Sequence, residues 1–241
     1  MDVQYVIDHY PELKYKIPLN RIFYDYGQDT VLEATITSLK DQEDIIMSAL
    51  EFLHDSFLSY QKRDWGEKIE SSQVLTLLQE LVNRSPHLIG CKAAENLGWW
   101  NANWGDQDDQ GMYDFFKEAF AHHFEKGQDP ILLYQLFAEL NRKDGGVWVN
   151  DYQVDMIWQL LDHNSRLMKI AGLGCFRELR PDEDEVEPEL WDRINELKGE
   201  LEYDFVHLKI TFQKFLQEQN KFDYSPYDLE EYLKHHYQAP E

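Results

Sequence analysis

Cysteine is nearly absent from this sequence. Cys91 and Cys175 are the only two in 241 residues, too few for a disulfide framework or a cysteine-rich metal site. Both lie inside apolar helical patterns and are expected to act as small buried hydrophobes. Long apolar runs are also missing. No stretch approaches the roughly 18 to 20 uncharged apolar residues that a membrane-spanning helix needs. The opening MDVQYVIDHYPELKYKIP has no basic block followed by an apolar one, so it does not read as a secretory signal, and the expected location is cytoplasmic. Basic residues are scarce: 23 Lys and Arg face 46 Asp and Glu, a formal net charge of −23. Such a surface repels phosphate backbones and anionic membranes at long range. Nucleic acid and membrane are therefore poor partners, and a basic protein is a good one; simple solubility is the alternative reading of the charge.

Strand signals are missing as well, since alternating patterns flanked by turn residues hardly occur. Apolar residues instead recur at spacings of three and four nearly throughout, which predicts an all-α chain. The pattern predicts helices over 29–39 with Asp29 as N-cap, 41–60, 71–84 and 86–100. Further helices are expected over 111–124, 129–142, 151–163 capped by Asp151, and 164–179 capped by Asn164 or Ser165. Pro86 and Pro130 suit first helical turns. Residues 61–68 (QKRDWGEK), 101–111 (NANWGDQDDQG) and 143–150 (KDGGVWVN) read as connectors.

Four helical segments can be laid over one another: IIMSALEFL, LIGCKAAENL, ILLYQLFAEL and LMKIAGLGCF, ending at Leu53, Leu97, Leu140 and Phe176. Their spacings of 44, 43 and 36 residues approximate a fixed period. Each carries small residues at its middle (Ala49, Ala93, Ala94, Ala138, Ala171, Gly172, Gly174), and each follows an amphipathic helix. This pattern resembles the helix pairs of HEAT and armadillo repeats, in which each pair buries its face only against its neighbours. The resemblance is one of size and period over about residues 29–180. It implies an irregular HEAT-like α-solenoid of helix pairs; a globular helical bundle is the alternative.

The expected organisation is then an N-terminal helical cap (1–28), the repeats (29–180), an acidic linker (181–188) and a C-terminal helical cap (189–241). In the last, Leu190, Ile194, Leu197, Leu201, Phe205, Leu208, Phe212 and Phe215 trace one stripe. Ser225 and Pro226 begin a final short helix.

Chemistry-bearing motifs are sparse. The adjacent pairs His122-His123 and His235-His236 point about 100° apart on a helix and lack the His-x-x-x-His spacing of a metal site. No Gly-x-Ser-x-Gly elbow occurs. Gly172 and Gly174 follow no strand, so close packing explains them better than a phosphate loop. The DQDDQ run lacks the glycine and terminal glutamate of a calcium loop. HEAT-like repeats also occur in DNA glycosylases, but those enzymes need a basic groove that a charge of −23 opposes. No catalytic residue, cofactor or metal is expected.

What remains is surface. Trp104, beside Asp106, Asp108 and Asp109, combines an aromatic anchor with steering carboxylates, as a hot spot for a basic partner requires. Trp99 and Trp100 are expected in the core. Asp182, Glu183, Asp184 and Glu185 would extend the anionic face. In composition the chain resembles acidic bacterial immunity proteins and antitoxins, which implies a non-catalytic inhibitor that occludes the active groove of a basic, nuclease-like toxin. A nucleic-acid mimic that captures DNA-binding proteins and an adaptor or scaffold subunit are the alternatives.

Overall fold

The three- and four-residue spacing of apolar side chains becomes helix wherever the structure describes it. The computed structural model describes residues 1–60, 62–84, 87–105, 110–126, 130–143, 149–182 and 185–200. These form thirteen helices and no strand. They are α1 (Val3–Asp8), α2 (Tyr10–Leu13), α3 (Leu19–Tyr26), α4 (Gln28–Ser38), α5 (Glu43–Ser59), α6 (Arg63–Glu70), α7 (Val74–Arg84), α8 (His87–Trp104), α9 (Gln110–Lys126), α10 (Pro130–Lys143), α11 (Asp151–Leu161), α12 (Arg166–Leu179) and α13 (Pro188–Glu200). No helix among the described residues is long and apolar enough to cross a membrane. The chain divides into two compact units, Met1–Ser85 with Ile89–Met112 and Pro86–Leu88 with Tyr113–Glu241. This division falls within the expected repeat region, inside α9 after Met112.

In the first unit α5 is central, with α1, α2, α3 and α4 packed against it. Ala49, Leu50, Phe52, Leu53 and Phe57 of α5 are fully buried, each large side chain contributing about 1.5–3 kcal/mol by leaving water. An aromatic cluster surrounds them. Phe23 stacks on Tyr60 with ring centroids 3.8 Å apart and meets Trp65 edge-on at 4.8 Å, while Tyr10 meets Phe52 edge-on at 5.2 Å. The break between α1 and α2 is satisfied by a buried serine: Ser48 Oγ accepts from the Tyr10 backbone N–H at 3.0 Å and donates to Ile7 O at 2.8 Å.

The second unit is organised around α12, which packs on α10, α11 and α13. Here approach is close because a side chain is missing. A Cβ on Gly172 would lie 2.8 Å from Leu161 Cδ2 and 3.0 Å from Leu160 Cβ. Cys91 and Cys175 are both buried, as expected. Burial, with Glu178 nearby, pushes the Cys175 thiol well above its ordinary value, making it a poor nucleophile.

Four local expectations change. Residues 61–68 read as a connector in the sequence, whereas 63–70 form α6, because Trp65 and Ile69 at i, i+4 both bury fully against the unit. Helix α8 runs to Trp104 rather than ending at Trp100. Its polar residues here are not solvated loop positions: Asn101 is buried, and Asn103 Nδ2 donates to Phe57 O at 3.0 Å. Gly27 (φ +77°) rather than Asp29 precedes α4. Asp29 sits in the first turn, where a carboxylate favours the helix dipole, and pairs with Lys68. Asn150 rather than Asp151 precedes α11, with Gln153 Oε1 accepting from the Asn150 backbone N–H at 3.2 Å. Ser165 occupies the N-cap position of α12, one of the two residues expected there.

Candidate functional site

Trp104 sits at the last position of α8 and is half-buried. Two features of the first unit fix its ring. Phe57 of α5 meets it edge-to-face, with centroids 5.6 Å apart and planes at 70°. On another side α6 comes so near that a Cβ on Gly66 would fall 2.3 Å from Trp104 Cγ. Only glycine permits this approach without moving the indole.

Around the ring lies an open cleft of about 460 Å³ lined by Arg63, Gly66, Glu67, Glu70, Asn103 and Trp104. The four α6 residues lie at spacings of three and four, so one stripe of a two-turn helix supplies the cleft's charge. Trp65 and Ile69 anchor the opposite side of α6 in the core. Arg63 Nε donates to Glu67 Oε1 at 2.9 Å, with both side chains largely exposed. Glu70 is exposed and makes no ion pair among the described residues. The cleft thus joins an aromatic wall, two carboxylates and one weakly held internal cation.

Of the residues singled out from the sequence, Trp104 is the one the structure places in this cleft. Asp106, Asp108 and Asp109 lie outside the described residues but follow Trp104 within five positions in the chain. Glu183 and Asp184 also lie outside them. Asp182 and Glu185 are exposed in the second unit, joined locally by the Asp182 backbone N–H donating to Glu185 Oε2 at 2.8 Å. The acidic segment is not wholly solvated, since Pro181 and Val186 are buried. Trp100 is buried, as expected, whereas Trp99 is half-buried and faces His54 edge-on at 6.4 Å. Glu67, Glu70 and Gly66 are not among the residues the sequence singled out; the Trp65–Ile69 spacing is the one trace of α6 in it, too short to stand out as a helical period.

A second cluster of titratable groups joins α2, α5 and α8. His54 Nδ1 lies 3.6 Å from Asp55 Oδ1, and its Nε2 lies 3.5 Å from Glu95 Oε1. Lys92 Nζ reaches Glu95 Oε2 at 2.7 Å. Tyr10 Oη donates to Asp55 Oδ2 at 3.0 Å, and Lys14 pairs with Glu51. Burial alone would raise the Glu95 carboxyl, but His54 and the Lys92 ammonium hold it down at about 2. Burial and the Asp55 charge push the Tyr10 phenol upward. Opposite charges here satisfy one another between helices, the pattern of a structural clasp. Among the described residues no group of three or more His, Cys, Asp or Glu side chains is arranged to hold a metal ion.

The fold and the cleft together define an all-helical, strongly acidic chain carrying an aromatic, carboxylate-lined cleft. No family model matches this chain, and no curated protein or solved structure shows a significant match to it.

Proposed function

We propose that this chain is a non-catalytic interaction protein that binds and neutralises a basic partner, an immunity-type inhibitor that occludes the cationic groove of a nuclease-like toxin. The observation that carries the reading is the Trp104 cleft. A fixed indole lining one cleft with Glu67 and Glu70, two residues before the DQDD run, offers an aromatic anchor inside an anionic rim. In such a surface the carboxylates accelerate encounter while the aromatic group lengthens residence. The net charge of −23 favours the same class of partner.

The scaffold in this reading is an irregular HEAT-like stack. In its support, the four similar segments fall in α5, α8, α10 and α12, and another helix (α4, α7, α9, α11) precedes each. Within each unit the second helices of successive pairs lie side by side, joined by asparagines that reach a neighbour's backbone. Asn96 Nδ2 donates to Leu50 O at 3.1 Å, and Asn141 Nδ2 donates to Glu178 O at 3.0 Å. The N-terminal helices α1–α3, packed on the first pair, act as its cap.

Affinity capture of the tagged full chain from its native host, washed in low salt, high salt and competing duplex DNA, tests the reading. One stoichiometric basic protein that survives DNA competition is the expected result. Several DNA-binding proteins released by duplex would indicate nucleic-acid mimicry instead, and a salt-insensitive assembly would indicate a scaffold. With the partner in hand, Asp106→Asn, Asp108→Asn and Asp109→Asn combined should slow association several-fold and leave dissociation nearly unchanged.

A further inference from the structure

We propose that the Trp104 cleft is a receptor for a single arginine side chain presented by that partner. The inference rests on the basic-partner reading and specifies which cation the site takes. Guanidinium is planar, weakly hydrated and able both to stack on an aromatic face and to fork onto a carboxylate, whereas ammonium is a compact, strongly hydrated point charge. The cleft supplies both surfaces. Its wall is an indole held in orientation by Phe57 and by the missing Cβ of Gly66. Its acceptors are the exposed carboxylates of Glu67 and Glu70, one helical turn apart on α6.

The chain already seats a guanidinium at this rim. Arg63 pairs with Glu67 at 2.9 Å, yet its side chain is 91% exposed, so the pair is weak and readily exchanged. Arg63 is therefore an internal competitor: a partner arginine takes its place on Glu67 and reaches Glu70, which has no cation of its own among the described residues. Asn103 also lines the cleft, with its amide nitrogen engaged on Phe57 O.

The test is a titration of the full chain, labelled with ¹⁵N at the indole nitrogens, with N-acetyl-arginine-amide and separately with N-acetyl-lysine-amide. The Trp104 signal is assigned from Trp104→Phe. Saturable movement of that signal with the arginine probe is expected, with the lysine probe several-fold weaker. Arg63→Ala should tighten arginine binding several-fold, and Glu67→Gln with Glu70→Gln should weaken it at least fivefold. These three positions are exposed, so the variants keep the fold, and the remaining indole signals check this. An unmoved Trp104 signal in both the natural chain and Arg63→Ala would overturn the proposal, as would an unchanged response in the double glutamine variant. Capture of a basic partner without arginine binding would sink the receptor and spare the wider reading. Arginine binding without any basic partner would do the reverse.

Discussion

Helices α5 and α12 occupy equivalent places at the centres of their units, yet they bury their neighbours in opposite ways. Around α5 the contacts are made by large side chains, with Phe52, Phe57, Tyr10, Phe23 and Trp65 interleaved. Around α12 large side chains such as Ile170 and Phe176 are buried too, but the approach of α11 depends on an absent one, since it lies against Gly172 at near-contact distance. The first unit also joins its helices through partly exposed polar pairs, such as His54 of α5 with Glu95 of α8 and Lys14 with Glu51. In the second unit Asn141 and Tyr134 of α10 both converge on Glu178 of α12. The difference shows that two helical units can bury their central helices by different packing solutions, and it predicts opposite responses to substitution.

The largest effect should come from removing bulk beside α5. Phe52→Ala leaves a cavity in a fully buried aromatic cluster and should cost about 3–5 kcal/mol, read by urea unfolding. Next is the charged clasp. The Glu95 carboxyl sits at about 2 in the folded chain against an ordinary 4.5. Its stabilisation is therefore complete above pH 4.5 and is lost as the pH falls through that interval toward 2. Roughly 2–3 kcal/mol should disappear across the window. Glu95→Gln should lose most of it at neutral pH and flatten that part of the stability profile.

Adding bulk to α12 is the converse of the Phe52 experiment. Gly172→Ala should cost about 1–3 kcal/mol by overpacking, although Gly→Ala inside an unobstructed helix gains roughly 0.5–1 kcal/mol. The smallest change concerns the end of the same helix. Arg180 is exposed and holds a left-handed conformation at φ 50°, ψ 48°, where a side chain costs about 1 kcal/mol. Arg180→Gly should raise stability by about that amount in the same assay, because the glycine relieves strain without removing a core contact.

The all-helical class and most helix positions were legible in the sequence because apolar spacing reports directly on burial. Both buried thiols, Trp100 and the helical N-terminus followed from the same rule. Two elements at the candidate site escaped it for a physical reason. Helix α6 is short and highly charged, and its two anchors Trp65 and Ile69 are too few to raise a periodic signal above the surrounding polar residues. The last turn of α8 is written in asparagine, which reads as a loop residue until a neighbouring helix offers Phe57 O as an acceptor. The cleft depends on both, and on Gly66, whose role is visible only once Trp104 lies above it. The acidic run of residues 182–185 was legible as charge, but the burial of Val186 beside it was not.

Hydrogen–deuterium exchange of the full chain, alone and with its captured basic partner, tests the central claim most directly. Protection concentrated in residues 63–70 and 100–112, and lost together with affinity in the Glu67→Gln, Glu70→Gln double variant, is the predicted result. Protection confined to α9–α12, with the α6 stripe and Trp104 exchanging as in the free chain, would contradict it.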